Sequence, residues 1–204
     1  MTATPRLYTL CAAAVDGHFP PARREIEAGR GLVGALLVQG ALAGRLELRP
    51  DRVRLLGRGG SGDPALDAFL DRLRSSSPGC RTPADWARAL GLWALAALLP
   101  GSRPPGRPVP HGHLRMRPGE ALRTVRTAVE EPDPDVLTAV AAGALLTATG
   151  LHGPAWPDLP RAEAARRSLR SAAALGPAGV PVTLAATAVS DSLRSSATAL
   201  AFPG

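Results

Sequence analysis

The sequence predicts a mostly α-helical globular domain that carries one small β-hairpin near residues 45–56. Ala and Leu dominate the 45% hydrophobic content, whereas aromatic residues make up only 3%. Ala and Leu are good helix formers, while sheets favour β-branched and aromatic residues. Asp-Pro pairs precede several apolar stripes, and one segment alternates polar and apolar residues. A chain of 204 residues fits a single domain, so we expect one domain over 1–204.

The first helices are predicted from two apolar segments. Residues 6–15 form a short apolar helix, and the Gly and paired Pro within 16–21 end it. Residues 31–43 are apolar on nearly every helical face, which is typical of a helix buried on all sides. Gly44 is a natural stop for this helix.

The hairpin is predicted from two short segments that alternate polar and apolar residues around Pro50-Asp51. These two residues are favourable in turns. A turn centred there places Leu48 opposite Val53 and Leu46 opposite Leu55. All four apolar side chains would then face the preceding helix.

Two helix starts follow the hairpin. At Asp63-Pro64, Asp is a good N-cap and Pro suits the first helical position. The amphipathic stripe of that helix consists of Leu66, Phe69, Leu70 and Leu73. Thr82-Pro83 repeats the signal, with Asp85 at the capping-box position. The next helix carries Trp86, Leu90, Trp93 and Ala97 on one side.

The second half begins with an irregular segment. Residues 100–118 hold six prolines, four arginines and the pair His111/His113, which predicts a long loop or extended arm. Further helices are predicted over 119–131, 134–149, 161–174 and 181–201.

The chemistry of the chain is basic but nominates no reaction. The net charge is +7, and all 24 basic residues are Arg, a good bidentate partner for phosphate. Cys11 and Cys80 are interpreted as small buried hydrophobes, because neither has a metal-ligand spacing. No catalytic or nucleotide-binding motif is present in the sequence. We therefore expect no metal and no cofactor, and the sequence favours a non-enzymatic protein while leaving the point open.

The expected partner is an anionic membrane surface or a phosphorylated small ligand, with no nucleic acid. No segment reaches the ~18 apolar residues that a membrane span needs. We interpret the N-terminal apolar run as a core helix rather than a signal peptide. The expected location is therefore cytoplasmic, with peripheral association at the inner membrane face as an open alternative.

Arginines near an apolar loop are the candidate anion-binding residues. Arg23, Arg24 and Arg30 follow Phe19-Pro20-Pro21, and such arginines can hold a lipid phosphate while an apolar tip enters the bilayer. The plainer interpretation is a solvated basic face. Arg103 and Arg107 of the irregular segment could contribute to the same anionic site.

The order of three motifs resembles the bacterial form of the Golgi phosphoprotein 3 family. An apolar helix runs into Leu42-Ala43-Gly44-Arg45-Leu46-Glu47-Leu48, followed by Ser61-Gly62-Asp63-Pro64-Ala65-Leu66-Asp67 and then Asp85-Trp86. The resemblance covers most of the chain in order and is most specific over residues 32–90. It implies a mostly α-helical globule with a peripheral hairpin. It also implies peripheral membrane binding, which in eukaryotic members uses the headgroup of phosphatidylinositol 4-phosphate.

The family pocket implied by the resemblance is degenerate in this chain. In the family, a Trp and an Arg lie near the start of the apolar helix, and an Arg pair lies on the helix after the Trp segment. Here the Trp position falls near Arg24, the first Arg falls on Val33, and residues 91–99 contain no Arg. The resemblance thus implies a drier pocket, with the lining residues Val33, Trp86, Leu92 and Trp93.

Two functions remain open from the sequence. The first is a non-enzymatic module that binds anionic lipid or phosphoinositide-like headgroups. The second is a diverged scaffold with an apolar small-molecule pocket, as an enzyme or accessory protein of specialised metabolism. Interaction through the hairpin, including homo-oligomerisation, is a further expectation that the sequence does not separate from the first.

Overall fold

The computed structural model describes residues 6–15, 21–57, 59–75, 81–98 and 117–201. Within these ranges the α-helices are α1 (Leu7–Val15), α2 (Pro21–Leu42), α3 (Pro64–Ser75), α4 (Pro83–Leu98), α5 (Pro118–Glu130), α6 (Leu137–Thr149), α7 (Arg161–Ala174) and α8 (Val180–Ala201). Two 3-10 helices, Pro134–Val136 and Gly176–Gly179, and two strands, β1 (Leu46–Arg49) and β2 (Arg52–Leu55), complete the described elements. The predicted mostly α-helical fold with a small hairpin is confirmed.

Helices α2 and α6 form the centre of the domain. Every residue from 139 to 149 in α6 is buried, as is every residue from 28 to 38 in α2. Helix α2 packs against α1, α4, α6 and α8, so little of its surface beyond the first two turns reaches solvent. The apolar sequence on all faces of α2 is explained by this position.

Helix α2 is longer than the sequence predicts. It begins at Pro21, ten residues before the expected start at Gly31. Pro suits the first turn of a helix because its missing N–H would have no intrahelical partner there. The segment 16–21, which was predicted only to end the first helix, therefore also contains the residue that begins the second. The predicted helix over 134–149 also differs, because its first turn is a 3-10 helix and α6 begins at Leu137.

The hairpin has the predicted register. The strands are antiparallel, with Leu46 opposite Leu55 and Leu48 opposite Val53. Leu46 packs directly on Gly40 of α2, where a Cβ would lie only 2.7 Å from Cδ2 of Leu46. The apolar face of the hairpin therefore lies against α2, as the alternation predicts.

Both predicted caps are present. The Oδ1 atom of Asp63 accepts hydrogen bonds from the N–H groups of Ala65 and Leu66, at 3.0 and 3.4 Å. At α4, Thr82 Oγ1 accepts from the N–H of Asp85, and Asp85 Oδ2 accepts from the N–H of Thr82. This reciprocal pair is a capping box. A hydrogen bond from the Thr82 hydroxyl to Asp85 Oδ2, followed by the main-chain bonds, lowers the pKa of Asp85.

Asp63 also connects the start of α1 to the start of α3. The same Oδ1 atom accepts a hydrogen bond from the hydroxyl of Tyr8 at 3.1 Å and an ion pair from Arg6 at 3.1 Å. The N–H of Leu7 donates to Oε1 of Gln39 in α2. Helix α1 is therefore held at its first turn by polar contacts to two other helices.

Helices α2 and α4 cross at a pair of glycines. A Cβ added at Gly29 would lie 2.3 Å from the carbonyl oxygen of Gly91. The two backbones are thus in direct contact, and only glycine fits on the α2 side of this crossing.

Candidate functional site

Of the five predicted anion-binding arginines, Arg30 is the one whose side chain the structure describes. Arg23 and Arg24 lie in α2, but their side chains are outside the described part, and Arg103 and Arg107 lie outside it entirely. Arg30 is only 7% exposed, and its Nη1 donates to the main-chain oxygen of Ser192 at 2.6 Å. This bond joins α2 to α8 in the interior.

The charge of Arg30 is held in an unfavourable environment. Burial lowers the pKa of Arg30, and the nearby cation Arg88 lowers it further, while Glu27 partly offsets both. Because burial and a like charge both disfavour the guanidinium cation, a bound anion would stabilise it.

Arg88 was not predicted from the sequence as a site residue. It lies on α4, with 46% of its side chain exposed and its Nη1 3.5 Å from Oδ1 of Asp85. The crossing of α2 and α4 at Gly29 and Gly91 places Arg88 near Arg30. The sequence gives no signal for which helix Arg88 meets, because that depends on how α2 and α4 pack.

Two exposed aliphatic side chains flank the crossing. Ile26 is 47% exposed and lies one turn before Arg30 on α2, and Leu92 is 67% exposed and lies one turn after Arg88 on α4. We call these four residues, Ile26, Arg30, Arg88 and Leu92, the crossing patch. The patch therefore combines an exposed and a largely buried cation with two exposed apolar side chains.

The residues predicted to line a pocket occupy different environments. Val33 and Trp86 are buried in the core, whereas Leu92 is exposed on the surface. Trp93 is half-buried, stacks on Phe69 with ring centroids 6.2 Å apart, and has the Arg72 guanidinium 5.9 Å from its ring centroid. Their role as a pocket lining stays a prediction.

A small internal cavity lies between α1, α2 and α6. Its lining includes Cys11, Leu32 and Thr149, and its volume of about 10 Å³ has room for one water at most. Burial raises the pKa of Cys11 to about 12. The thiol is therefore protonated at neutral pH and is not a nucleophile.

The acidic residues of α3 have structural roles. Asp63 caps the helix, Asp67 accepts a hydrogen bond from the N–H of Ser61, and Asp71 pairs with Arg74 at 2.6 Å. Hydrogen bonding lowers the pKa of Asp67. Across the described ranges, no group of three or more His, Cys, Asp or Glu side chains could hold a metal ion.

Comparison with models of protein families identifies the family of the chain. A sequence model of the Golgi phosphoprotein 3 (GPP34) family matches residues 6–195. The chain belongs to the Golgi phosphoprotein 3 family. No curated protein and no solved structure matches it.

Family membership agrees with the order of motifs in the sequence. The matched range includes α1 to α7, the hairpin and most of α8. In this Golgi phosphoprotein 3 family member, no helix of the described segments is both long and apolar enough to cross a membrane.

Proposed function

We propose that this Golgi phosphoprotein 3 family protein binds anionic lipid headgroups reversibly and without catalysis at a membrane surface. The crossing patch carries the proposal, because it combines the exposed cation Arg88 and the largely buried cation Arg30 with two exposed aliphatic side chains. A headgroup phosphate would lie at Arg88 and near Arg30, while Ile26 and Leu92 enter the interfacial region.

The size of the contributions fits reversible attachment. An arginine near an anionic surface contributes roughly 1 kcal/mol, and full burial of a Leu side chain contributes roughly 1.5–3 kcal/mol. A few such contacts give weak binding that other basic residues can strengthen. Helical periodicity places Arg23 two turns before Arg30 on the same face of α2, so Arg23 and its neighbour Arg24 are proposed to extend the patch.

The alternative of an apolar small-molecule pocket beside Val33 has no observation in its favour. Val33 is fully buried, and the cavity beside its neighbour Leu32 is too small for an organic ligand. We therefore retain the lipid proposal alone.

Vesicle co-sedimentation of the full chain at low salt tests the proposal. The vesicles are phosphatidylcholine alone, phosphatidylcholine with phosphatidylglycerol, and phosphatidylcholine with phosphatidylinositol 4-phosphate. We expect R88A to weaken binding to anionic vesicles by about fivefold, since one interfacial arginine is removed. R126A is the matched control, because Arg126 is an exposed arginine on α5.

A second pair of variants tests the apolar part of the crossing patch. L92S should weaken vesicle binding, whereas V180S should not, although Val180 is also 54% exposed. Equal binding to neutral and anionic vesicles would overturn the proposal. So would an R88A protein that binds as well as R126A.

A further inference from the structure

A large cleft lies between α7 and α8, with the C-terminal half of α6 as its floor and Glu27 of α2 at its edge. Its volume is about 720 Å³. This size is typical of cavities that bind small organic molecules. The walls are made mostly of small side chains, which is why the space between α7 and α8 is not filled.

One end of the cleft is formed by the C-terminus of α6 and is polar. Arg161 donates through Nε to the carbonyl oxygen of Thr147 at 3.2 Å and through Nη2 to that of Ala148 at 2.6 Å. These bonds use carbonyls that a helix end leaves without intrahelical partners. Within the described ranges, no main-chain oxygen accepts a hydrogen bond from the third nitrogen, Nη1, and the side chain is exposed.

Gly150 keeps space beside that nitrogen. Its φ of 80° is the left-handed conformation of a helix stop, and a Cβ there would lie 3.4 Å from Nη1 of Arg161. The N–H of Leu151 donates to the oxygen of Leu146 and completes the stop. The guanidinium is therefore fixed by main-chain atoms on one side and open on the other.

Arg161 supplies the dominant charge of this end. Of the other charged lining residues, Glu27 faces Arg30 and Arg194 pairs with Asp191, so each is offset by an opposite charge. In the described part of the chain, no carboxylate lies within ion-pair distance of Arg161. The polar end consequently favours an anion.

Three hydroxyl groups near Arg161 do not compete for this role. Those of Thr147 and Thr149 donate to main-chain oxygens within α6, and that of Ser190 lies 3.4 Å from the oxygen of Ala148. With their hydrogens used, these groups offer acceptors only. A bound anion would therefore be held by Arg161.

The other end of the cleft is apolar. One helical turn away from the polar end, the lining consists of Ala144 on α6, Ala165 and then Leu169 on α7, and Ala186 on α8. An aliphatic chain that lies along these residues would bury apolar surface without a polar partner. The cleft thus has a cationic end and a hydrocarbon end.

We propose that the cleft binds a small amphiphilic organic anion, a carboxylate or phosphate monoester with an aliphatic chain. The acidic group binds Arg161, and the chain lies against Ala165 and Leu169. The site is distinct from the crossing patch, so either proposal can fail without the other.

Isothermal titration calorimetry of the full chain tests the ligand class. Decanoate, decyl phosphate and decylamine are titrated below their critical micelle concentrations. We expect saturable binding of one molecule per chain for at least one of the two anions and none for decylamine. The difference between the two anions identifies the acidic group.

Two variants locate the site. A165F fills the apolar end and is expected to weaken binding by about tenfold or more, because the side chain occupies the ligand's space. A173F is its matched control, since Ala173 lies on the exposed face of the same helix. R161Q removes the cation and tests the polar end of the site independently of A165F. Circular dichroism checks that each variant folds, and R161Q remains the test if A165F does not.

Four results would overturn the proposal: no saturable binding of either anion, equal binding of decylamine, equal affinities of A165F and A173F, or unchanged binding by R161Q. Analytical sedimentation of the unliganded protein can give a fifth result that would overturn the proposal. A dimer that A165F abolishes and A173F retains would assign the cleft to a second copy of the chain.

Discussion

Small residues have opposite effects at the α2–α4 crossing and in the α7–α8 cleft. At the crossing, Gly29 and Gly91 bring two backbones into contact and leave no space between the helices. In the cleft, Ala144, Ala165 and Ala186 line a volume of about 720 Å³. A small side chain closes a gap only where the helix axes can approach, and elsewhere it leaves the gap open.

The difference in packing between the crossing and the cleft follows from the contacts of the neighbouring helices. Helices α7 and α8 both pack against α6, and side chains of all three helices line the cleft. Helices α2 and α4 have no third helix between them at Gly29. Tolerance to larger side chains should therefore differ sharply between the two places.

The largest expected effect is at the crossing. G29V should lower the free energy of unfolding by about 3 kcal/mol or more, because its side chain would overlap the main chain of Gly91. A165L, in the cleft, should change it by less than about 1 kcal/mol. Urea denaturation measures both, and similar losses for the two variants would contradict the comparison.

A smaller difference in unfolding free energy is expected between substitutions of Arg30 at the crossing and of Arg161 in the cleft. R30A should cost about 2–3 kcal/mol, because a buried side chain and a bond to Ser192 are lost together. R161A should cost about 1–2 kcal/mol, because Arg161 is exposed and water can replace part of its bonding.

R30M is the control for packing in the same denaturation experiment. It restores the aliphatic stem without the charge, and should recover part of the loss seen with R30A. A greater loss for R161A than for R30A would show that the cleft, not the crossing, is the better-packed region.

The elements that are determined by residues close together in the chain were predicted correctly from the sequence. The hairpin register followed from alternation around one turn, and the caps at Asp63 and Asp85 followed from residue types at fixed spacing. These features depend on residues close together in the chain. Family membership followed from the order of the same features.

The remaining features depend on which helices meet. The early start of α2 is an exception, because its first turns are rich in Ala, Arg and Glu, which favour a helix, and Pro21 suits the first helical position. The apolar pattern alone did not use this local signal. The proximity of Arg30 and Arg88 and the cleft beside Arg161 arise from helix packing. A single sequence contains no signal for such contacts.

The smallest expected effect is a pH dependence at the cleft end. Burial lowers the pKa of His152 in the fold below its ordinary value of 6.5, and the Arg161 cation adds to this shift, while the main chain of Leu159 and Gly150 opposes it. Below pH 6.5 the unfolded chain takes up a proton that the folded chain resists. Stability should therefore fall as pH decreases through that value.

Urea denaturation at about pH 7 and about pH 5 measures this dependence. H152Q should reduce the difference in unfolding free energy between the two conditions. Among the described residues, His152 is the one histidine, so the crossing should contribute none of this difference. An unchanged pH dependence in H152Q would show that other groups cause it.

The shared oxygen of Asp63 has a consequence for cooperativity. One carboxylate atom accepts contacts from Arg6 and Tyr8 at the start of α1 and from two N–H groups at the start of α3. Fraying of either helix start removes a partner that the other start uses. The two starts, 55 residues apart in sequence, therefore form a single unit of local unfolding.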